Sequence, residues 1–199
     1  MSGGFIVVLA ILAFAAVTIF KGVRIVPQGY KWIVQRLGKY HTTLNPGLNF
    51  VIPYVDEVAY KVTTKDIVLD IPSQEVITRD NAVLLMNAVA YINITTPVNA
   101  VYGIENYTWA IQNLVQTSLR SIVGEMDLDD ALSSRDHIKA KLKAAISDDI
   151  SDWGITLKTV EIQDIQPSST MQAAMEAQAA AERQRRATVT KADGEKQAA

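Results

Sequence analysis

The chain has 199 residues, no cysteine, two histidines and a formal net charge of −2 at pH 7. The lack of cysteine excludes disulfides, zinc–thiolate sites and palmitoylation. Residues 21–65 carry seven basic and two acidic side chains, so the remainder is acidic, which argues against nucleic-acid binding. The basic stretch is either a surface that faces anionic lipid or a set of solvated strand charges.

The first predicted element is an apolar helix. The run from Gly3 to Phe20 has no charged side chain and one polar side chain, Thr18. An apolar helix of about 18–20 residues crosses a hydrocarbon core of about 30 Å. We therefore predict a transmembrane anchor over residues 1–22, and its large apolar side chains are Phe5, Ile6, Val7, Val8, Leu9, Ile11, Leu12, Phe14, Val17, Ile19 and Phe20.

A cleaved signal peptide is the alternative interpretation of this helix. It requires basic side chains before the apolar run and a small-x-small cleavage site after it, and neither is present. The basic residues Lys21 and Arg24 instead follow the run. Because positive flanks stay in the cytoplasm, we expect a single-pass protein of the inner (cytoplasmic) membrane, with its N-terminus outside and the chain beyond Lys21 cytoplasmic.

Residues 23–96 predict a β-rich subdomain next to the membrane. Tyr30–Leu37 is rich in β-branched and aromatic residues and ends at the turn residue Gly38. A long alternating stretch follows from Val58 to Ile71 and is expected to end at Pro72. Beyond it, the apolar even positions of 84–94 predict one buried strand face.

One segment of this subdomain is more apolar than its turn-rich surroundings require. It either fills the β core or contacts lipid from the cytoplasmic leaflet. The candidate membrane contacts are Leu48, Phe50, Val51, Ile52, Tyr54 and Val55.

Residues 97–167 predict a second, α+β subdomain. A helix over 110–124 places its apolar residues on one stripe, and Asp127 is expected to cap the next helix. A further helix, capped by Ser133 or Ser134, runs to Trp153 and stops at Gly154, and 155–165 is a strand. The fold class is therefore α+β, with the helices set between β segments.

Residues 168–199 predict the start of a long, polar, alanine-rich helix. Its apolar surface is too small to pack on a core, so i,i+4 pairs such as Glu182–Arg186 and neighbouring helices must stabilise it. No clean heptad supports a two-stranded coiled coil, and alanine-faced helices packed between identical subunits fit better. The predicted oligomer-interface residues are Glu176, Glu182, Arg183, Arg185 and Arg186.

No motif for catalysis or cofactor binding is present, and we expect neither an enzyme nor a cofactor. His41 and His137 are far apart and are interpreted as surface or packing residues. The one carboxylate cluster, Asp148, Asp149 and Asp152, is interpreted as a solvated face or an intersubunit salt-bridge partner. The alternative is a divalent-metal site in a membrane-tethered enzyme.

These motifs together resemble the stomatin/prohibitin/flotillin (SPFH, band 7) superfamily, and most closely its bacterial slipin/paraslipin branch of stomatin-like proteins. The residues that carry the resemblance are Arg36–Tyr40, Leu44–Leu48, Ile52-Pro53, Asp70–Val76, Thr78–Asn81, Leu119–Glu125, Leu128, Arg135-Asp136, Trp153–Ile155, Val160–Ile165, Met171, Met175, Gln178, Ala181–Arg183, Arg185–Ala187 and Gly194-Glu195. The chain departs from stomatin itself, since it has one plausible span and no cysteine to lipidate.

The resemblance implies a non-enzymatic scaffold. Members of this superfamily form large closed rings or cages on membranes, delimit lipid microdomains and modulate membrane proteases and other membrane proteins. The implied partners are membrane lipids, identical or homologous subunits, and a membrane-bound AAA+ protease or an NfeD-type membrane protein.

Overall fold

The computed structural model describes residues 3–198, without the side chains of residues 5, 6 and 190–198. Its helices and strands are, in chain order, α1 (Gly3–Gly22), β1 (Val23–Val26), β2 (Tyr30–Arg36), β3 (Lys39–Leu44), β4 (Gly47–Phe50), β5 (Asp56–Thr63), β6 (Ile67–Ile77), β7 (Val83–Ile94), α2 (Pro97–Tyr102), α3 (Tyr107–Gly124), α4 (Leu128–Ser133), α5 (Arg135–Asp152), β8 (Ile155–Pro167) and α6 (Ser169–Ala198). The predicted α+β class is confirmed.

The N-terminal helix α1 has the predicted position, and its described large apolar side chains are exposed. In the part of the chain that the structure describes, no helix is both long enough and apolar enough to span a membrane. The transmembrane anchor stays a prediction, and the side chains of Phe5 and Ile6 lie outside the described residues.

Two small antiparallel sheets follow α1. Strand β1 pairs with β4, and a second sheet has the order β3-β2-β5. The turn between β2 and β3 lies at Leu37 and Gly38, and both residues have left-handed backbones with φ of 51° and 81°. The sequence predicted a turn at Gly38 but placed Leu37 in the strand, which ends one residue earlier, at Arg36. Two left-handed residues in succession give a turn whose twist matches that of the flanking antiparallel strands.

The third sheet has the order β6-β7-β8, and one predicted boundary in it is wrong. The chain breaks between β5 and β6 at residues 64–66, whereas β6 continues through Pro72. Because β6 is an edge strand, a residue without an N–H can occupy it. The break is stabilised by Asn93, whose Nδ2 donates to the Thr64 carbonyl and to Asp66 Oδ1, both at 2.9 Å.

The buried strand face predicted for β7 is confirmed. The even positions of this strand are all buried, and they are Leu84, Met86, Ala88, Ala90, Ile92 and Ile94. The apolar stripe predicted for α3 is largely confirmed too. Leu114 is half-buried, and the buried members of the stripe are Ile111, Val115, Leu119, Ile122 and Val123.

The helix ends are partly as predicted. Asp127 precedes α4 but makes no side-chain cap bond. Its carboxylate instead pairs with Arg79, whose Nε donates to Asp127 Oδ1 at 2.9 Å, because a charged partner competes with the weaker backbone donors. Helix α5 ends at Asp152, and Gly154 follows with φ of 69°. The Thr95 and Thr96 N–H groups both donate to the Gly154 carbonyl at 2.9 Å.

The chain divides into two compact units, each discontinuous in sequence. One contains residues 3–69, Tyr91–Ile111 and Ser147–Thr159, and the other contains Asp70–Ala90, Gln112–Ile146 and residues 160–198. The first has a core cluster of Val26, Val34, Leu44 and Val51, against which Trp32 and Val58 pack. The predicted subdomain boundaries after residues 22, 96 and 167 stay predictions.

Candidate membrane-facing site

The candidate site lies where α1 meets strand β4. The Val51 N–H donates to the Gly22 carbonyl at 2.8 Å, so the last residue of the helix is tied to the segment that follows β4. A Cβ atom on Gly22 would lie 2.8 Å from the Phe50 ring and from the Val51 carbonyl oxygen. This close approach therefore requires glycine at the end of α1.

Most of the predicted membrane contacts are exposed. Phe50 is 62% exposed, and Leu48, Ile52, Tyr54 and Val55 also expose large apolar surface. Val51 differs, since it is 5% exposed and belongs to the core cluster. The segment therefore has one buried member and five that project outward.

Tyr54 links this exposed segment to α1. Its ring stacks on the ring of Phe14, with centroids 6.5 Å apart and planes 6° from parallel. The Lys21 ammonium lies 5.6 Å from the centre of the Tyr54 ring, close enough for a cation–π interaction. Tyr54 also has a left-handed backbone, with φ of 74°, which side chains rarely adopt and which contacts on both sides must stabilise.

An ion pair stabilises the turn that presents Tyr54. Arg36 Nε donates to Asp56 Oδ1 at 2.7 Å, and Nη2 donates to Oδ2 at 3.1 Å. The Ile52 N–H also donates to Asp56 Oδ2, at 2.9 Å. The hydrogen bonds from Arg36 outweigh the cost of burying the carboxylate and lower the pKa of Asp56 to about 2. The same pairing raises the pKa of Arg36.

Basic side chains border the exposed apolar segment. Lys21 follows the apolar part of α1, and Arg24 lies on β1 opposite Asn49 of β4. On the neighbouring sheet, the Lys61 ammonium lies 4.8 Å from the centre of the Trp32 ring. Apolar surface bordered by cations and aromatic rings is the pattern of a membrane interface.

The predicted oligomer-interface residues lie on α6, in the other unit. All five are exposed, and the predicted i,i+4 pair is present, with Arg186 Nη2 donating to Glu182 Oε1 at 2.6 Å. Their role between subunits stays a prediction.

The carboxylate cluster on α5 offers no built site. Asp148, Asp149 and Asp152 are all exposed, as are both histidines. Among the described residues, no group of three His, Cys, Asp or Glu side chains is placed to hold a metal ion.

Comparison with known proteins identifies the family. Residues 24–196 match the profile described as "SPFH domain / Band 7 family". The chain belongs to this family. A stomatin homolog of Pyrococcus abyssi is 40% identical to it over 98% of this chain and 72% of its own length. The human mitochondrial stomatin-like protein 2 is 37% identical over 87% of this chain and 49% of its own length.

The SPFH chain spans about half the length of several relatives it matches. An uncharacterized protein of Mycobacterium tuberculosis is 36% identical over 96% of this chain and 50% of its own length. The family match and these relatives confirm, at the level of the superfamily, the resemblance inferred from the motifs.

The SPFH chain also has contacts at the candidate site that sequence reasoning did not find. The Arg36–Asp56 pair joins residues 20 positions apart, and the Phe14–Tyr54 stack joins residues 40 apart. No local period links such positions, so no sequence signal could have paired them. The exposure of Tyr54 could be predicted from the sequence, because Tyr54 belongs to the apolar segment identified as a candidate lipid contact.

Proposed function

We propose that this chain is a non-enzymatic membrane scaffold. In this proposal α1 anchors it in a membrane, and copies associate into a large closed ring or cage that organises a microdomain. The observation that carries the proposal is the exposed apolar surface of α1 and of residues 48–55 of the same unit, with Lys21 and Arg24 at its border.

The exposed apolar surface supports a membrane location. A water-soluble monomer rarely presents so many large apolar side chains together, because each one buried stabilises a protein by about 1.5–3 kcal/mol. The bordering cations each gain about 1 kcal/mol close to anionic lipid. In this proposal Leu48, Phe50, Ile52, Tyr54 and Val55 enter the cytoplasmic leaflet, and the buried Val51 is not included.

The composition of α6 supports assembly. Its residues Ser169–Ala198 are mostly alanine and polar side chains, and an isolated helix of this kind gains little from burial. Equivalent helices of neighbouring copies would approach closely because alanine is small, and charged pairs would repeat around the assembly. Membership of the SPFH family supports the same proposal, and we extend it to a membrane-bound AAA+ protease or an NfeD-type membrane protein as clients.

Mass measurement tests the assembly. The full chain extracted in mild detergent should form a large particle of uniform mass. A chain lacking residues 168–199 should stay membrane-bound and folded but lose that particle. A full-size particle from the truncated chain would place the interface outside α6, and a monomeric full chain would contradict the scaffold.

Single-cysteine labelling tests the orientation, because these 199 residues contain no cysteine. In intact cells Glu105→Cys should resist an impermeant maleimide until lysis, whereas Gly4→Cys should react before lysis. The reverse pattern would overturn the orientation, and protection of both sites would mean that the N-terminus does not cross.

A further inference from the structure

A shallow depression opens beside the C-terminal end of α1. Its volume is about 430 Å³, and its lining consists of Lys21, Arg24, Val51, Pro53, Tyr54 and Asp56. A second depression of about 360 Å³ adjoins it and shares Arg24, Val51 and Asp56. Both lie within one compact unit.

The first depression carries an unbalanced positive charge. Among the described residues, neither Lys21 nor Arg24 takes part in a salt bridge. Asp56 lines the same space, but its side chain is 3% exposed and both its oxygens accept hydrogen bonds from Arg36. The Arg36–Asp56 pair is neutral overall, so the field in the depression comes from Lys21 and Arg24.

The second depression differs in charge. Glu57 and Lys61 both line it, so the acidic side chain offsets the basic one, and only the shared Arg24 is left unbalanced there. An anion therefore gains more from the Lys21–Arg24 side than from the Glu57–Lys61 side.

The surroundings of the first depression favour a ligand with an apolar part. The exposed side chains of Phe50 and Ile52 belong to the segment next to its lining, and Tyr54 places its ring against Phe14 of α1. A soluble anion would contact the two cations and leave this apolar surface in water. A phospholipid would contact both, with its phosphate at the cations and its acyl chains along α1.

We propose that Lys21 and Arg24 bind the phosphate of an anionic phospholipid headgroup, such as phosphatidylglycerol, in this depression. The inference rests on the membrane location proposed above and adds a ligand class to it. Lys21 remains against the Tyr54 ring, and Arg24 contributes the planar donor geometry that suits phosphate oxygens. The site selects for net negative charge, because a zwitterionic headgroup brings a cation that two basic side chains repel.

Lipid retention tests the site. The full chain is reconstituted in phosphatidylcholine vesicles that contain a minor fraction of phosphatidylglycerol, then extracted in mild detergent, and the retained lipids are measured by mass spectrometry. Lys21→Gln with Arg24→Gln is the test variant. Lys31→Gln with Lys39→Gln is the matched control, since it removes the same charge from residues that line neither depression.

For the natural chain and the control we expect the ratio of phosphatidylglycerol to phosphatidylcholine to be about thirtyfold higher than in the vesicle, because two cations act on one headgroup and each contributes about fivefold. The test variant should retain lipid at the vesicle ratio, with an unchanged circular-dichroism spectrum. Enrichment that survives in the test variant, or that falls equally in the control, would overturn the site in favour of diffuse surface charge.

Two further measurements are needed. One distinguishes a lipid headgroup from free phosphate as the ligand, and the other distinguishes failure of the headgroup site from failure of the membrane scaffold. Inorganic phosphate or glycerol phosphate in the wash should not displace the lipid, and displacement at equal concentration would assign the site to free phosphate instead. Co-sedimentation with the vesicles reports the membrane location independently. A chain that sediments without lipid preference would refute only the headgroup site, and one that fails to sediment would refute the membrane scaffold as well.

Discussion

Arg36 and Asp56 form a two-point ion pair that connects β2 to the first residue of β5. The distances are 2.7 Å from Nε to Oδ1 and 3.1 Å from Nη2 to Oδ2. Because Asp56 Oδ2 also accepts the Ile52 N–H, the pair fixes the turn that carries Tyr54. The Asp56 carboxylate therefore helps to position the exposed apolar segment, together with the bond from the Val51 N–H to the Gly22 carbonyl.

Replacing that carboxylate should destabilise the unit and alter its acid sensitivity. The pKa of Asp56 is lowered from 3.8 to about 2, so its contribution to stability is complete above pH 3.8 and is lost as the pH falls towards 2. Asp56→Asn should cost about 1–3 kcal/mol at pH 7, measured as a shift in the urea midpoint, and much less near pH 2. Equal losses at both pH values would show that the charge is not responsible.

Gly154→Ala should destabilise the junction between α5 and β8. A Cβ atom there would lie 2.5 Å from the Thr96 carbonyl oxygen, and the backbone is left-handed with φ of 69°. We expect a loss of more than about 2 kcal/mol in the free energy of unfolding. Gly38→Ala is the matched control, because its φ is 81° but no atom lies within 4 Å of the added carbon. A cost no larger than that of the control would contradict the steric clash.

Leu37→Asn should stabilise the turn between β2 and β3. Leu37 has φ of 51° and is 84% exposed, so its side chain gains little from burial and strains the backbone. Asparagine tolerates the left-handed region, and a gain of about 0.5–1 kcal/mol is expected in thermal or urea unfolding. Leu37→Ala removes the same apolar surface without that tolerance and should give no comparable gain.

A probe at position 50 should report lipid contact. In the proposed site Phe50 enters the cytoplasmic leaflet, so a bimane attached to Phe50→Cys should be quenched by lipids brominated on their acyl chains. The same probe on Ile77→Cys serves as the control, because Ile77 is exposed and apolar but belongs to the other compact unit. Quenching that does not exceed the control would exclude the lipid contact.

Reversing the arginines of α6 should weaken assembly. Each exposed pair is worth at most about 1 kcal/mol, but repetition around a ring multiplies the effect. Arg183→Glu, Arg185→Glu and Arg186→Glu together should shift the large particle towards smaller species. The shift should depend on salt, without loss of the β signal in circular dichroism.

A complementary chain controls for damage to the helix itself. Glu176→Arg with Glu182→Arg should restore large particles when mixed with the reversed-arginine chain, because opposite charges then face each other. No rescue, together with lost helix content, would mean that the internal Glu182–Arg186 pair stabilises α6 and that no contact between copies is involved.

Features that depend on local chemistry could be predicted from the residues alone. The even-position apolar pattern of residues 84–94 predicted the buried face of β7, because successive side chains of a strand point to opposite sides. The residue types of 169–198 predicted α6 and its Glu182–Arg186 pair, since helix neighbours lie four positions apart. Family membership also followed from motifs legible along the chain.

Features that join distant residues could be established only from the folded chain. The sequence predicts that a strand ends at Pro72. The strand continues because β6 is at the edge of its sheet, where a residue without a backbone N–H is tolerated. The sequence predicts Asp127 as a helix cap, but its carboxylate pairs with Arg79, which is a stronger partner than the backbone N–H groups. The apolar run near residue 50 is compatible with both a core position and a lipid contact, because hydrophobicity alone does not show which way a side chain faces. The bond from Val51 to Gly22 and the Arg36–Asp56 pair set that direction, burying Val51 and turning Phe50 and Tyr54 outward.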